Sequence, residues 1–275
     1  MTGHDGEEAR FPRFTSVQRV EHALLILSFT TLAVTGMPQK FASAAISELV
    51  IRLLGGIEIV RIVHRWAAAL LMLQTIYHLA DVAYRALVLR SRLSMLPRYW
   101  DLIDAWQAVR YNLGLAPARP KMRRFTFEEK VEYWSLIWGT VLMILTGFML
   151  WNPIAAARFL PGQFIPAAQA AHGAEAVLAV LAIVIWHGYS VHVRHFNRSM
   201  WTGYLDEETM REEHALELEE IQTGRAPAPP DTAAVARGRR IFLPVAAVVG
   251  LALLYGVYVF VTFEQTAIAT LSPTK

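Results

Sequence analysis

Five long apolar blocks, separated by polar and charged segments, dominate the pattern of the chain. They cover residues 20–37, 59–84, 131–151, 167–193 and 241–263. Each is close to or above the roughly 20 residues that a helix needs to cross the apolar core of a bilayer. Backbone groups in lipid must be paired within the segment, so such blocks form helices. The pattern predicts an all-α integral membrane protein with five spanning helices.

Three further segments keep a helical period of apolar residues. Residues 38–58 predict a short helix on the membrane surface or against a partner, and residues 97–115 predict an amphipathic helix. Residues 205–222 predict an acidic helix, and residues 223–235 form a linker rich in Ala and Pro. No internal repeat is evident in this pattern. The predicted division is an N-terminal segment 1–19, a core 20–200, an acidic helix and linker 201–240, and a fifth helix with a short tail 241–275.

Basic residues are concentrated in alternate loops. Residues 1–19, 85–127 and 194–240 hold three, nine and seven Lys or Arg, whereas residues 38–58 and 152–166 and the C-terminal tail hold two, one and one. The positive-inside rule predicts a cytoplasmic N-terminus and an outer C-terminus in a bacterial inner membrane. The net charge of +3 is then explained by the basic loops on the cytoplasmic side. No nucleic-acid partner is expected.

The chain contains no cysteine. This excludes disulfides, cysteine-ligated iron–sulfur clusters and covalently attached c-type haem. A redox cofactor of this chain would therefore need other ligands, and iron–sulfur clusters would have to lie in a partner.

Histidines are the candidate ligands, because buried ionisable residues in membrane spans are costly and neutral imidazole is a usual axial ligand of b-type haem. His64 and His78 lie 14 residues apart in the second block, and His172 and His187 lie 15 apart in the fourth. At 1.5 Å per residue each pair spans roughly 21–22 Å and lies near one helix face. Both blocks cross in the same direction, which places His64 level with His172 and His78 level with His187. The spacing predicts two haems stacked across the bilayer.

The inner level has more histidines than one haem needs. His22 in the first block also falls at this depth, and His192 lies slightly lower. The choice between His22 and His78 stays open, and a third haem using His192 is an alternative. A lone helix histidine is more often a hydrogen-bonded core residue than a ligand. The histidines at or beyond the membrane boundary are expected to have no ligand role: His4, His195 and His214.

The order and spacing of several short motifs resemble the cytochrome b (gamma) subunits of respiratory formate dehydrogenases and related quinone-linked membrane b-type cytochromes. The resemblance covers residues 11–220. Its carriers are Arg19-Val-Glu-His22, Thr35-Gly36, Ile62-Val63-His64, Phe125 to Trp134, Thr146-Gly147, Trp151-Asn152-Pro153, His172 and Ile185-Trp186-His187-Gly188-Tyr189. It implies a four-helix haem-binding bundle, here extended by a fifth C-terminal transmembrane helix that the family core does not require.

The resemblance also implies ligands. In that family an outer haem lies between the second and fourth spanning helices and an inner haem between the first and fourth. On the matching positions, the outer haem would use His64 and His172, and the inner haem His22 and His187. His78 departs from this pattern and allows an inner pair between the second and fourth helices, as in bc-type cytochrome b. Nearby arginines would either bind haem propionates or snorkel to the interface: Arg19, Arg61 and Arg65.

The family's quinone site, for menaquinone or ubiquinone, lies near the inner haem at the start of the third spanning helix. At the matching positions Glu129 or Glu132 would relay protons, and Thr126 would donate a hydrogen bond. The family's amide side chains are absent from this stretch. For Glu128 and Glu129, an acidic helix start that complements the helix dipole is the simpler alternative.

These features predict a b-type cytochrome that passes electrons between the quinone pool and a partner on the outer side of the membrane. The partner would be an iron–sulfur protein or a multihaem cytochrome c, and the chain would be the electron-transfer subunit of a quinone-linked oxidoreductase. Two haem b groups are expected, or three if the surplus histidines bind another. The alternatives are a haem relay without its own quinone site and a haem-free anchor or transporter.

Overall fold

The computed structural model describes residues 9–194, 196–225 and 230–263. This part of the chain is helical, apart from two short antiparallel strands, β1 (Arg10–Pro12) and β2 (Tyr204–Asp206). Five of its helices are long and apolar enough to cross a membrane. The predicted all-α class and the number of spans are therefore confirmed. The rest of the chain lies outside the described residues, including His4, His195, the middle of the linker (226–229) and the tail after residue 263.

The helices extend somewhat beyond the predicted apolar blocks. In chain order they are α1 (Ser16–Lys40), α2 (Ala45–Leu53), α3 (Ile57–Leu87), α4 (Tyr99–Asn112), α5 (Phe127–Trp151), α6 (Pro153–Ala156), α7 (Phe164–Leu181), α8 (Ser199–Thr202), α9 (Glu207–Glu213), α10 (Ala215–Gln222) and α11 (Thr232–Thr262). Two π-helical stretches, Ala182–His187 and Tyr189–Arg194, continue α7 to the end of its span. The short helices predicted in residues 38–58 and 97–115 are confirmed as α2 and α4. The single acidic helix predicted over residues 205–222 is instead the end of β2 followed by two shorter helices, α9 and α10.

The spanning helices pack as two hairpins with a fifth helix against them. Helix α1 packs on α3, and α5 packs on α7, while α11 packs on α3. We call the end of the bundle with the start of α1 the N-side and the other end the far side. On the N-side Phe242 of α11 contacts Tyr84 of α3, whereas on the far side Phe260 contacts Phe148 and Trp151 of α5. Helix α11 therefore runs from α3 on the N-side to α5 on the far side.

The two hairpins are related copies, so the expectation of no internal repeat is wrong. Residues 13–37 and 124–148 are identical at nine of 25 aligned positions, including Arg-Phe-Thr at the start, Val-Glu five residues later and Thr-Gly near the end. Residues 76–85 and 185–194 share Ile, His, Val and Arg at the same spacing. Hydropathy alone missed the repeat because most of the shared residues are polar or small, and apolar positions in lipid are interchangeable.

The same capping arrangement begins α1 and α5. The Thr15 hydroxyl accepts a bond from the Gln18 backbone, and the Gln18 side chain accepts one from the Thr15 backbone. Thr126 and Glu129 make the same reciprocal pair at the start of α5. Such capping boxes pair backbone N–H groups that the first turn of a helix leaves unsatisfied. Both hairpins therefore start with the same local structure.

The repeated arginines meet each other on the N-side. The guanidinium of Arg13 donates to the carbonyl of Arg124, and Arg124 donates back to the carbonyl of Arg13. Both also bind Glu217 of α10, at 3.3 Å and 2.5 Å. The reciprocal contact indicates a pseudo-twofold axis along the bundle, passing between the starts of α1 and α5. Arg13 is only 3% exposed and pairs with Glu129 at 3.0 Å, so this N-side cap joins both hairpins to the segment after α7.

The π-helical stretches keep the two copies in register. His64 and His78 are 14 residues apart in α3, whereas the matching His172 and His187 are 15 apart. A π turn bonds residue i to i+5 and so holds one residue more than an α turn. The stretch Ala182–His187 can thus absorb the additional residue. His187 therefore keeps a position equivalent to that of His78.

Candidate functional site

The far-side histidines His64 and His172 face each other across α3 and α7. Their ring centroids are 6.4 Å apart. The Thr35 hydroxyl lies 2.9 Å from His64 Nδ1, and the Thr146 hydroxyl lies 2.8 Å from His172 Nδ1. Each hydroxyl donates its proton to a carbonyl of its own helix at 2.6 Å. Each must then accept the bond from Nδ1–H, which leaves Nε2 of both rings with a free lone pair for a metal ion.

The glycine after each threonine makes room for the ring. A Cβ on Gly36 would lie 3.1 Å from His64 Cε1, and one on Gly147 would lie 3.5 Å from His172 Cε1. The two Thr-Gly dipeptides therefore have the same two roles in both hairpins. The threonine orients the imidazole, and the glycine lets it lie close against the neighbouring helix.

A second pair lies at the N-side level, between α1 and the π-helical continuation of α7. The ring centroids of His22 and His187 are 6.3 Å apart. Glu132 of α5 places a carboxylate oxygen 3.0 Å from His187 Nδ1. The carboxylate accepts this hydrogen bond, so His187 also has its Nε2 lone pair available. A carboxylate behind a ligating histidine is a common arrangement in metal sites, because it fixes the tautomer and raises the basicity of the ring.

Both pairs fit a metal ion held between two imidazoles. First-row metal ions bind imidazole nitrogen at about 2.0–2.1 Å, so an ion shared by two rings sets their centroids roughly 6–6.5 Å apart. The observed 6.4 Å and 6.3 Å lie in this range. Histidine is also an axial ligand of haem iron. The residues present therefore fit a six-coordinate haem at each of the two levels.

His78 and His192 have other neighbours. His78 Nε2 lies 2.8 Å from the Tyr133 hydroxyl, and its Nδ1 lies 3.4 Å from a carboxylate oxygen of Glu21. Both ring nitrogens of His78 thus face protein partners. His192, near the end of the second π stretch, lies against the Phe196 ring. Of the six candidate ligands, the structure brings together two pairs and leaves His78 and His192 apart from them.

The three residues expected at a quinone site have structural contacts. Thr126 and Glu129 form the cap of α5, and Glu129 also pairs with Arg13. Glu132 lies one turn further along and holds His187. Glu132 is therefore the one of these three side chains that reaches the N-side histidine pair.

The arginines near the histidines lie on both sides of the bundle. Arg61 pairs with Glu58 at 3.2 Å on the surface, and Arg65 lies over the Trp151 ring at 4.3 Å. The side chain of Arg19 is beside Gly203. Sequence reasoning missed Lys40, at the end of α1. Its ammonium would be 2.7 Å from a Cβ on Gly173, so it lies next to the far-side pair.

Comparison with known proteins agrees with this geometry. Residues 13–203 match the family model described as prokaryotic cytochrome b561. The cytochrome b556(fdo) subunit of formate dehydrogenase from Escherichia coli K12 is 21% identical over 213 residues, which cover 76% of this chain and 92% of that protein. The corresponding subunit from Escherichia coli O157:H7 gives the same values. The matched range holds four of the five spans and both histidine pairs. The chain therefore belongs to the prokaryotic cytochrome b561 family and is a multi-pass membrane b-type cytochrome.

Proposed function

We propose that this chain is the electron-transfer subunit of a quinone-linked oxidoreductase, with two b-type haems that connect the two faces of the membrane. The observation that carries the proposal is the presence of two histidine pairs at two levels of one bundle. A bound haem at each level would exchange one electron at a time. The chain's own contribution is to hold each haem at a defined depth and to tune it through the groups behind the histidines.

The proposed ligands are the two observed pairs. His64 and His172 would hold the far-side haem, and His22 and His187 the N-side haem. This choice rests on the ring separations and on the Nδ1 partners that leave Nε2 of His64, His172 and His187 with a lone pair. His78 is left out because both of its nitrogens already face Tyr133 and Glu21.

The distribution of Lys and Arg supports an orientation of the chain in the membrane. Most Lys and Arg lie in the N-side loops, so we place the N-side in the cytoplasm. The far side would then meet the redox partner, an iron–sulfur or multihaem cytochrome c subunit. Helix α2 lies on this side with an exposed apolar face that includes Ile46 and Leu53, 67% and 76% exposed. The Escherichia coli relative is by its name a subunit of formate dehydrogenase, which supports a role within a larger complex. Quinone would react on the N-side, near Glu132.

The first test is the haem content of single histidine variants of the detergent-purified protein. Wild type should contain two b haems per chain by pyridine haemochrome absorbance. His64→Ala and His172→Ala should each lose the same haem, and His22→Ala and His187→Ala should each lose the other. Redox titration separates the two haems when their midpoint potentials differ.

The matched control is His78→Ala, which removes an imidazole at the same depth as His187. It should retain both haems. Loss of the N-side haem in His78→Ala but not in His22→Ala would replace the proposed pair with His78 and His187. A folded, haem-replete wild type without haem would refute the electron-transfer function.

A further inference from the structure

The repeat places equivalent residues around the far-side histidine pair. Helices α1 and α5 are both 25 residues long and align end to end, so their last residues, Lys40 and Trp151, are equivalent. In α3 and α7 the residue that follows the far-side histidine is Arg65 and Gly173, respectively. The side chain of Lys40 lies against Gly173. The repeat image of that contact is Arg65 over the Trp151 ring.

Each half of the bundle therefore brings one cation to the far-side pair, although the cation comes from a different helix. In one half it is Lys40 of α1, whose ammonium would be 2.7 Å from a Cβ on Gly173. In the other half it is Arg65 of α3, whose guanidinium lies 4.3 Å from the centre of the indole ring. Helix side chains lean towards the N-terminus of their own helix. Lys40 thus reaches from the far-side end of α1 down to the histidine level, and Arg65 leans towards the far side.

Trp151 adds a neutral donor at the same place. This side chain is 6% exposed, and its indole Nε1–H is buried without an acceptor among the described residues. A buried donor without an acceptor is costly, so this N–H marks a position where a ligand would supply the acceptor. Lys40 forms no ion pair with a carboxylate in the described part of the chain. Arg61, near the same end of α3, differs in this respect because it pairs with Glu58 at 3.2 Å.

Two cations related by the axis, with an N–H donor beside them, suit the two carboxylates of a haem. A b-type haem has two propionates on neighbouring pyrroles, and the line through the iron and the meso carbon between these pyrroles relates one propionate to the other. Because the axis relates His64 to His172, it would lie in the plane of a haem held between them. A haem placed with its own line of symmetry along the axis would present one propionate to each half of the bundle.

We infer that Lys40, Arg65 and the indole N–H of Trp151 bind the propionates of the far-side haem and turn its propionate edge towards the far side. Ammonium and guanidinium groups form charge-assisted hydrogen bonds with carboxylates. The two cations also favour the reduced haem, which has one more negative charge than the oxidised haem. Gly173 then has a specific role, because it leaves room for the lysine side chain. The inference rests on the far-side haem of the proposed function.

The test compares Lys40→Met with Lys40→Arg in the full-length, haem-loaded protein in detergent. Redox titration gives the midpoint potential of each haem, and resonance Raman spectroscopy gives the propionate bending band. In Lys40→Met, reduction of the far-side haem should become about tenfold less favourable, which is about 59 mV for one electron. Its propionate band should shift, while the N-side potential stays unchanged. Lys40→Arg keeps the charge and should retain the wild-type potential.

Two further variants separate the hydrogen bond from the charge. Trp151→Phe keeps an aromatic ring beside Arg65 but removes the N–H, so it should shift the propionate band with a smaller change in potential. The matched control is Arg61→Gln, which removes a cation from the same end of α3. It should leave the propionate band and both potentials unchanged. Haem content of every variant is measured in parallel.

The outcomes distinguish this inference from the proposed function. A folded, haem-replete wild type without haem would refute the function itself. Two bound haems with the same far-side potential in Lys40→Met and Lys40→Arg would refute the inference while the function stands. An unchanged propionate band in Lys40→Met and Trp151→Phe, with phospholipid that copurifies with wild type but not with Lys40→Met, would assign these donors to a lipid phosphate and also overturn it.

Discussion

At the scale of single residues, the proposed ligands are defined as much by their hydrogen-bond partners as by their own position. Thr35 and Thr146 accept from Nδ1 of the far-side histidines, and Glu132 accepts from Nδ1 of His187. Accepting this proton fixes the tautomer in which Nε2 keeps its lone pair. His78 has the same kind of carboxylate partner but meets a phenol instead of an imidazole. The group opposite the ring, rather than the histidine itself, therefore distinguishes the two N-side positions.

Thr146→Val should raise the midpoint potential of the far-side haem. Loss of the bond from Nδ1–H makes His172 a weaker donor, which disfavours the ferric state. The expected rise is tens of millivolts, since about 1 kcal/mol of hydrogen-bond energy corresponds to about 40 mV for one electron. Redox titration of the purified protein measures it. Thr31→Val on α1 is the control, because the Thr31 hydroxyl donates to the Leu27 carbonyl of its own helix. An equal shift in both variants would show a general effect of threonine removal.

At the scale of helices, the repeat explains why α7 leaves α-helical geometry. The structure places the one-residue difference between the two histidine spacings in a π stretch that ends at His187. Helix α3 has the shorter spacing and is α-helical throughout. Regular geometry at about 100° per residue leaves His172 and His187 roughly 60° apart around the axis. The π turns allow His187 to take a different angle around the helix axis from the one that regular α-helical geometry gives. They lie at the proposed N-side haem site, and π-bulges often occur at functional sites.

Deletion of Val184 tests whether the π stretch absorbs the additional residue between His172 and His187. Val184 lies in the π stretch and is 68% exposed. The deletion restores the spacing of α3, so α7 should become regular, keep His187 in place and retain both haems. Deletion of Ile183 together with Val184 should turn His187 about 100° away and lose the N-side haem alone. Haem stoichiometry decides between these results. Loss of the N-side haem from the single deletion would mean that the π turn itself is required.

At the scale of the whole molecule, a membrane bundle with approximate twofold symmetry is joined on its N-side by a polar cap. The far-side pair relates His64 of one hairpin to His172 of the other, so it lies across the axis. The N-side level has two related positions, and only one holds two histidines. The cap buries His214, which is 1% exposed and donates from Nδ1 to the carbonyl of Arg123 at 3.0 Å.

The cap should loosen in mild acid. Burial, and then the charge of Arg13, lower the pKa of His214 below its ordinary 6.5. Since the unfolded cap binds this proton more readily, the stability present above pH 6.5 is lost as the pH falls below it, towards the lowered folded pKa. The protection of the amides in residues 205–218, measured relative to their intrinsic exchange rates at each pH, should therefore fall between pH 7.5 and 5.5. In His214→Gln the protection should depend less on pH. An equal loss of protection in both proteins would assign the effect to other groups.

The sequence by itself determined the membrane class, the five spans and the two histidine levels. Apolar length and the rise per residue of a helix are local properties, so the depths of His64, His78, His172 and His187 follow from their numbers alone. The two Thr-Gly motifs were also visible in the chain, although their partners were not. The repeat was also present in the sequence, but hydropathy does not reveal it because apolar residues that face lipid are interchangeable.

Only the tertiary structure decided which rings face each other. Depth does not specify the angle around a helix axis, and His22 and His78 have the same depth. The choice between them depends on how α1, α3 and α7 pack and on the π turns before His187. Likewise, the carboxylate of Glu129 could relay protons by its chemistry, but in the structure it caps the start of α5 and forms an ion pair with Arg13. Such partners lie more than a hundred residues apart, where only the packing of the helices sets their distance.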